Sequence, residues 1–112
     1  MELKKELELL NKDSSLKNIQ KYIDKMIKVR GFENETPQDV MLLLTEEVGE
    51  LAKAIRKTTN IKMDINKTND YDIEGEIADV FMYILSMCRV LDIDLLEALK
   101  NKEQINLNRV WE

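Results

Sequence analysis

Two stretches of this chain place acids where an amphipathic helix keeps its apolar stripe, and that conflict constrains the fold more than any other feature. The first is Leu44-Thr45-Glu46-Glu47-Val48-Gly49-Glu50-Leu51, set among Val40, Leu43, Ala52 and Ile55. The second is Glu76-Ile77-Ala78-Asp79, followed by Val80, Phe81, Ile84 and Leu85. Each holds two acids three apart, Glu47/Glu50 and Glu76/Asp79. Residues three apart on a helix lie roughly 60° apart around the axis and about one turn along it, so each step can aim two carboxylates the same way. Glu47 shares its stripe with Leu43, Glu50 and Ala54, and Glu76 and Asp79 share theirs with Val80 and Tyr83. The acids therefore border or enter the apolar face, where charges need partners. Four carboxylates in one place repel strongly unless a cation sits among them. Two explanations stand open on spacing alone: an oxygen-ligand cation site, or ordinary surface acids paired with Lys and Arg.

Composition decides which cation and which chemistry are in reach. The 112 residues contain no histidine and a single cysteine, Cys88. Ser-His and Cys-His catalysis, histidine-ligated zinc and the Glu-x-x-His di-iron site are thereby excluded. Carboxylates alone suit Mg²⁺, with Mn²⁺ as the alternative. Cys88 lies in an apolar helical run and reads as a buried structural thiol, and one cysteine forms no intramolecular disulfide. With 22 acidic against 17 basic residues the net charge is −5, which disfavours binding of a nucleic-acid polymer. A phosphate ligand is still compatible, because a bound metal reverses the sign of the charge locally. No signal peptide and no apolar run of membrane-spanning length is evident, so the expectation is a cytoplasmic protein without membrane contact.

The length suits one domain spanning 1–112, rich in helix. Leu3, Leu7 and Leu10 recur at helical spacing, so residues 1–13 read as a short helix or an N-terminal extension that packs on a partner. Asp13, Ser14 and Ser15 offer N-caps for a stripe through Leu16, Ile19, Ile23, Met26 and Ile27 that ends near Gly31. Thr36-Pro37-Gln38-Asp39 is a helix start, and the helix should run over 37–57. Gly49 inside it suggests close approach of another helix or a ligand. Residues 58–71 read as a loop or short helix, the natural place for a lid. A third main helix should begin at Asp70 or Asp72 and reach Leu91; a fourth, capped by Asp92 or Asp94, should continue through Ile105 and Val110 to Trp111. The expected fold is all-α and four-helix-bundle-like, with a central antiparallel pair that brings the two acid steps face to face.

EEVGELAKAIR (46–56) and EIADVFMYIL (76–85) resemble the MazG-like nucleoside triphosphate pyrophosphohydrolases of the all-α NTP pyrophosphatase superfamily. RGF (30–32) and the set Lys102, Asn106, Arg109 and Trp111 extend the resemblance over roughly 16–112. It implies that Glu47, Glu50, Glu76 and Asp79 ligate Mg²⁺. It also implies hydrolysis of a nucleoside triphosphate to the monophosphate and pyrophosphate, for house-cleaning of non-standard nucleotides or control of nucleotide pools. Glu46 and Glu47 are the catalytic candidates. Glu46 points roughly 100° from Glu47, so it could act behind the ligands, orient water as a base, or be a surface acid. Lys53, Lys102, Asn106 and Arg109 are the implied substrate-binding residues, and assembly as a homodimer or homotetramer with sites near subunit contacts is implied as well. Tyr83 and Phe81 read as core, Trp111 as core or interface packing. The rival readings are a dUTP, dCTP or phosphoribosyl-ATP pyrophosphohydrolase of the same superfamily, and a non-catalytic helical interaction module whose acids are solvated.

Overall fold

The computed structural model describes residues 2–58 and 72–111. These form five helices: α1 (Glu2–Leu9), α2 (Leu16–Val29), α3 (Pro37–Arg56), α4 (Ile73–Leu91) and α5 (Leu95–Leu107). No strand occurs among the described residues. The polar residues in the connections set the boundaries. Ser15 Oγ accepts from the Asn18 N–H at 3.0 Å. Thr36 and Asp39 form a reciprocal capping box, at 3.2 and 3.0 Å, with Pro37 in the first turn. Asp72 and Asp94 cap α4 and α5 by accepting from the Gly75 and Glu97 N–H groups. Asp92 instead ends α4 in the left-handed conformation, φ 55°. Gly31 turns the chain after α2 at φ 80°, a conformation that favours glycine.

α3 and α4 form the most extensive helix contact. They are antiparallel: Glu47 lies by Glu76 and Asp79, whereas Leu43, one turn earlier, lies by a cavity that reaches on to Ser86. α2 packs antiparallel on α4. Near its start Gln20 donates to the Ile93 carbonyl and accepts from the Leu95 N–H, both at 3.1 Å. Further along, Asp24 lies 3.9 Å from Arg89. One side-chain amide thus pins the α4–α5 corner to α2. Leu3, Ile23, Met26, Ile27 and Leu85 make the main core. Val40 and Ala54 are buried on α3 to either side of the acids.

The N-terminal segment is a helix that folds onto its own chain. Leu3 enters the core and Lys25 pairs with Glu6. α5 stops at Leu107, short of the expected Trp111: the Asn108 and Arg109 N–H groups bond back to Ile105 and Asn106, and the Trp111 indole N–H reaches the Asn106 carbonyl at 3.3 Å. No other described helix approaches Gly49 closely, since nothing described lies within 4 Å of where a Cβ would sit. The loop and lid expectation for 58–71 falls outside the described residues apart from Thr58. The radius of gyration is 17.2 Å, against about 13 Å for a compact globule of this length.

Leu85 is 1% exposed, so Leu85→Ala should destabilise by about 3 kcal/mol through lost transfer energy and a cavity. Leu9→Ala, at a site 74% exposed, should change stability by no more than about 0.5 kcal/mol. Urea unfolding of the two variants checks the contrast.

Candidate active site

The α3–α4 packing turns two sequence steps into one cluster. Glu47 comes from the middle of α3, and Glu76 and Asp79 from the first two turns of α4. Each offers a carboxylate oxygen, and these atoms lie within 4.8 Å of one another. All three side chains are half-buried. Glu50 and Glu46 are exposed and are not among the three. Glu50 nonetheless adds its negative charge to the field at Glu47. The Glu47 carboxyl is pushed above the ordinary carboxylate range, first by partial burial, then by the charges of Asp79, Glu76 and Glu50, and last by a hydrogen bond with Glu76. Among the described residues no positive charge contributes to that shift. One of the two Glu76 oxygens, Oε2, is buried and has no hydrogen-bond partner among the described residues, which calls for a donor or a cation. An all-oxygen donor set with an orphaned buried acceptor fits a hard divalent ion.

Beside the cluster lies a cavity of about 280 Å³. It touches Asp79 and follows one face of α4 through Met82, Tyr83 and Ser86, about 10 Å of helix axis. Met26, Ile27 and Leu43 supply apolar walls, and Arg30, Phe32 and Glu35 come from the α2–α3 connection. Tyr83, expected in the core, lines this cavity because α2 and α3 leave the space above it open. Its hydroxyl is pushed up by burial, then by Glu47, Glu35, Asp79 and Glu46, so it stays a hydrogen-bond donor. Its place four residues after Asp79 was the available sequence signal. Glu35 and Ser86 carried none.

The basic candidates lie elsewhere. Lys53 is exposed in the last turn of α3. α5 leans on α2, so Lys102, Asn106 and Arg109 line neither the acid cluster nor the cavity. Lys102 is exposed, and Asn106 Oδ1 is buried without a partner. Arg109, beyond the helix end, stacks 4.7 Å above the Trp111 ring.

A helix pair that aims three carboxylates at one point, beside an apolar-walled cavity, defines an all-helical protein whose chemistry centres on an acid cluster. Its family is known at the sequence level: residues 35–106 match the MazG nucleotide pyrophosphohydrolase domain, and the chain belongs to this family. The activity class is accordingly that of a nucleotide pyrophosphohydrolase, a family that generally uses divalent metals. The chain is 34% identical over 86 residues to the uncharacterized protein YpjD of Bacillus subtilis strain 168, covering 77% of this chain and 78% of that one. A crystal structure of Bacillus subtilis YpjD, named there as a candidate pyrophosphatase, superposes with a TM-score of 0.74 at 30% identity. It covers 89% of this chain and 100% of that one. Among the described residues no helix is long and apolar enough to cross a membrane.

The raised Glu47 carboxyl sets a pH dependence. A group held above its unfolded value favours the fold below that value, and the contribution is lost as pH rises through the folded one. Chelator-treated protein should therefore melt at higher temperature near pH 5 than near pH 7. Glu47→Gln should raise the pH 7 melting point by a few degrees and flatten that slope, as read by thermal unfolding across the pH series.

Proposed function

We propose that this chain is a Mg²⁺-dependent enzyme that hydrolyses a nucleoside triphosphate to the monophosphate and pyrophosphate, as a house-cleaning activity on non-standard nucleotides. Glu47, Glu76 and Asp79 hold the metal, and Glu50, one turn along α3, joins them as the fourth ligand. The observation that carries this is the convergent acid cluster with its orphaned Glu76 oxygen, at the end of a cavity, in a chain of this family. Mg²⁺, or Mn²⁺ in its place, would supply charge neutralisation at the phosphates and a lowered pKa for bound water. Glu47, beside the metal, is the first candidate to take the proton of the attacking water. Glu46 is the second candidate for that part, its charge felt at the Tyr83 hydroxyl. The Tyr83 O–H can donate to a substrate oxygen between the phosphates and the cavity, whose apolar walls exclude water from the nucleoside. Residues 1–112 act as one helical domain, in the cytoplasm where nucleotides are at hand.

A triphosphate beside three carboxylates calls for positive charge in addition to the metal, and among the described residues no Lys or Arg is part of the cluster. In this reading the missing cations come from a second copy, as Lys102 and Arg109 of its α5, with Asn106 as a hydrogen-bonding partner and Lys53 at the edge. Apolar surface on both elements supports the pairing. Val48, Ile55 and Ile77 on the acid helices and Leu99, Ile105 and Leu107 on α5 are all close to half exposed or more. The assembly is a homodimer or homotetramer.

Mg²⁺-dependent release of pyrophosphate from a nucleotide panel tests the activity. Glu76→Gln and Asp79→Asn should each lower kcat/KM by about 100-fold or more, the scale of losing several kcal/mol of charge stabilisation. Absence of pyrophosphate from every nucleotide would leave the solvated-acid interaction module standing. Shared sites make a separate expectation: co-expressed Glu76→Gln and Lys102→Ala chains should regain activity that neither variant has alone. Failure to regain it, with both variants assembled, contradicts the shared site.

A further inference from the structure

We propose that the cavity selects a guanine base, with Arg30 and Glu35 as the residues that read its edge. This rests on the pyrophosphohydrolase reading above. Asp79 belongs both to the acid cluster and to the cavity wall. Phosphates at the acids therefore direct the nucleoside along α4 toward Ser86. The walls there are apolar and aromatic, with Met26, Leu43, Phe32 and Tyr83 among them, which suits a flat ring. Besides Asp79 at one end and the Ser86 hydroxyl at the other, two charged residues depart from that character: Arg30 and Glu35, of opposite charge, also line the space. They are ion-paired neither with each other nor with another described residue.

Their backbone is fixed before any ligand arrives. The Arg30 N–H bonds to the Met26 carbonyl at 2.9 Å, and Gly31 turns the chain. The Phe32 N–H then returns to the Ile27 carbonyl at 2.9 Å, and the Glu35 N–H bonds to the Phe32 carbonyl at 3.2 Å. The Thr36–Asp39 capping box follows at once. The donor and the acceptor are thus presented from a pinned segment, the preorganisation that turns polar groups into selectivity.

Arginine only donates and a carboxylate only accepts. Guanine is the base that answers both in full. Its O6 and N7 accept from a guanidinium as a pair, and its N1–H and 2-amino group donate side by side to the two carboxylate oxygens. Adenine and cytosine offer one amino group each, and uracil one N–H between two acceptors. Each leaves a Glu35 oxygen without a donor, and a polar group stripped of water and left unpaired is how a site rejects a near relative. Hypoxanthine differs from guanine only in lacking the 2-amino group, so it isolates the Glu35 contact.

The test pairs turnover with binding. Pyrophosphate release with Mg²⁺ is measured on GTP, dGTP, ITP, ATP, CTP and UTP, and GMP and IMP binding is measured calorimetrically in chelator. GTP and dGTP should lead the panel, with ITP about tenfold lower in kcat/KM and IMP about tenfold weaker than GMP, the scale of one hydrogen bond to a charged group. Glu35→Gln should reduce both ratios to about twofold, and Glu35→Asp should reduce them in part. Glu33→Gln, an exposed acid in the same connection, should leave both unchanged. Pyrophosphate released at equal rates from all bases would overturn the base reading while the hydrolase stands. So would a guanine-to-hypoxanthine ratio that survives Glu35→Gln, or a Glu35→Gln effect confined to the GTP-to-dGTP ratio. Absence of turnover on every nucleotide would overturn the hydrolase, and this inference with it.

Discussion

The mutual repulsion of Glu47, Glu76 and Asp79 is the interaction the rest of the molecule has to withstand. At separations of up to 4.8 Å each pair costs about 1 kcal/mol even at the dielectric of water, and more where solvent is partly excluded. The α3–α4 contact imposes that cost. Val40 and Ala54 are buried on either side of Glu47, and Leu85 anchors α4 two turns beyond Asp79. α2 then braces α4 from behind through the core and the Gln20 bridge. The helices cannot relax apart without exposing those side chains, so the acids stay together; partial burial first, and their mutual charge second, raise the proton affinity of Glu47.

The cluster acids and the α5 cations lie on different elements. The acid helices carry the cluster, whereas Lys102 and Arg109 belong to an element that leans on α2. Apolar residues are left uncovered on both: Phe81 and Ile84 on α4, and Leu99 and Ile105 on α5. Among the described residues few large side chains reach full burial, and the radius of gyration exceeds that of a compact globule. We propose from this distribution that the site is finished by assembly, one contact covering the apolar faces and delivering the cations.

Much of this was legible in the sequence, for reasons that also mark where legibility stops. Helix starts were written in single side chains, Ser15, Thr36 with Pro37, and Asp94, since a cap acts within three residues. The acid steps were legible because helical periodicity fixes direction around an axis. Periodicity does not fix how far a side chain sits from the facing helix, and so it could not separate exposed Glu50 from half-buried Glu47. Nor does an apolar stripe distinguish core from cavity wall, which is why Tyr83 was expected in the core. Arg30 and Phe32 were noticed only as a family-like string, and Glu35 not at all, because the cavity they line exists only once α2, α3 and α4 meet. The three leucines of α1 showed a helix without showing which surface it would cover.

The central claim is that the α3–α4 acids form one divalent-cation site. Electron paramagnetic resonance of Mn²⁺ titrated into the nucleotide-free protein tests it without any catalytic step. The account predicts loss of the free six-line signal as Mn²⁺ binds, its return on addition of Mg²⁺, and no comparable loss with Glu76→Gln. A free-Mn²⁺ signal of undiminished intensity in the unmodified protein, or equal binding by Glu76→Gln, would contradict it.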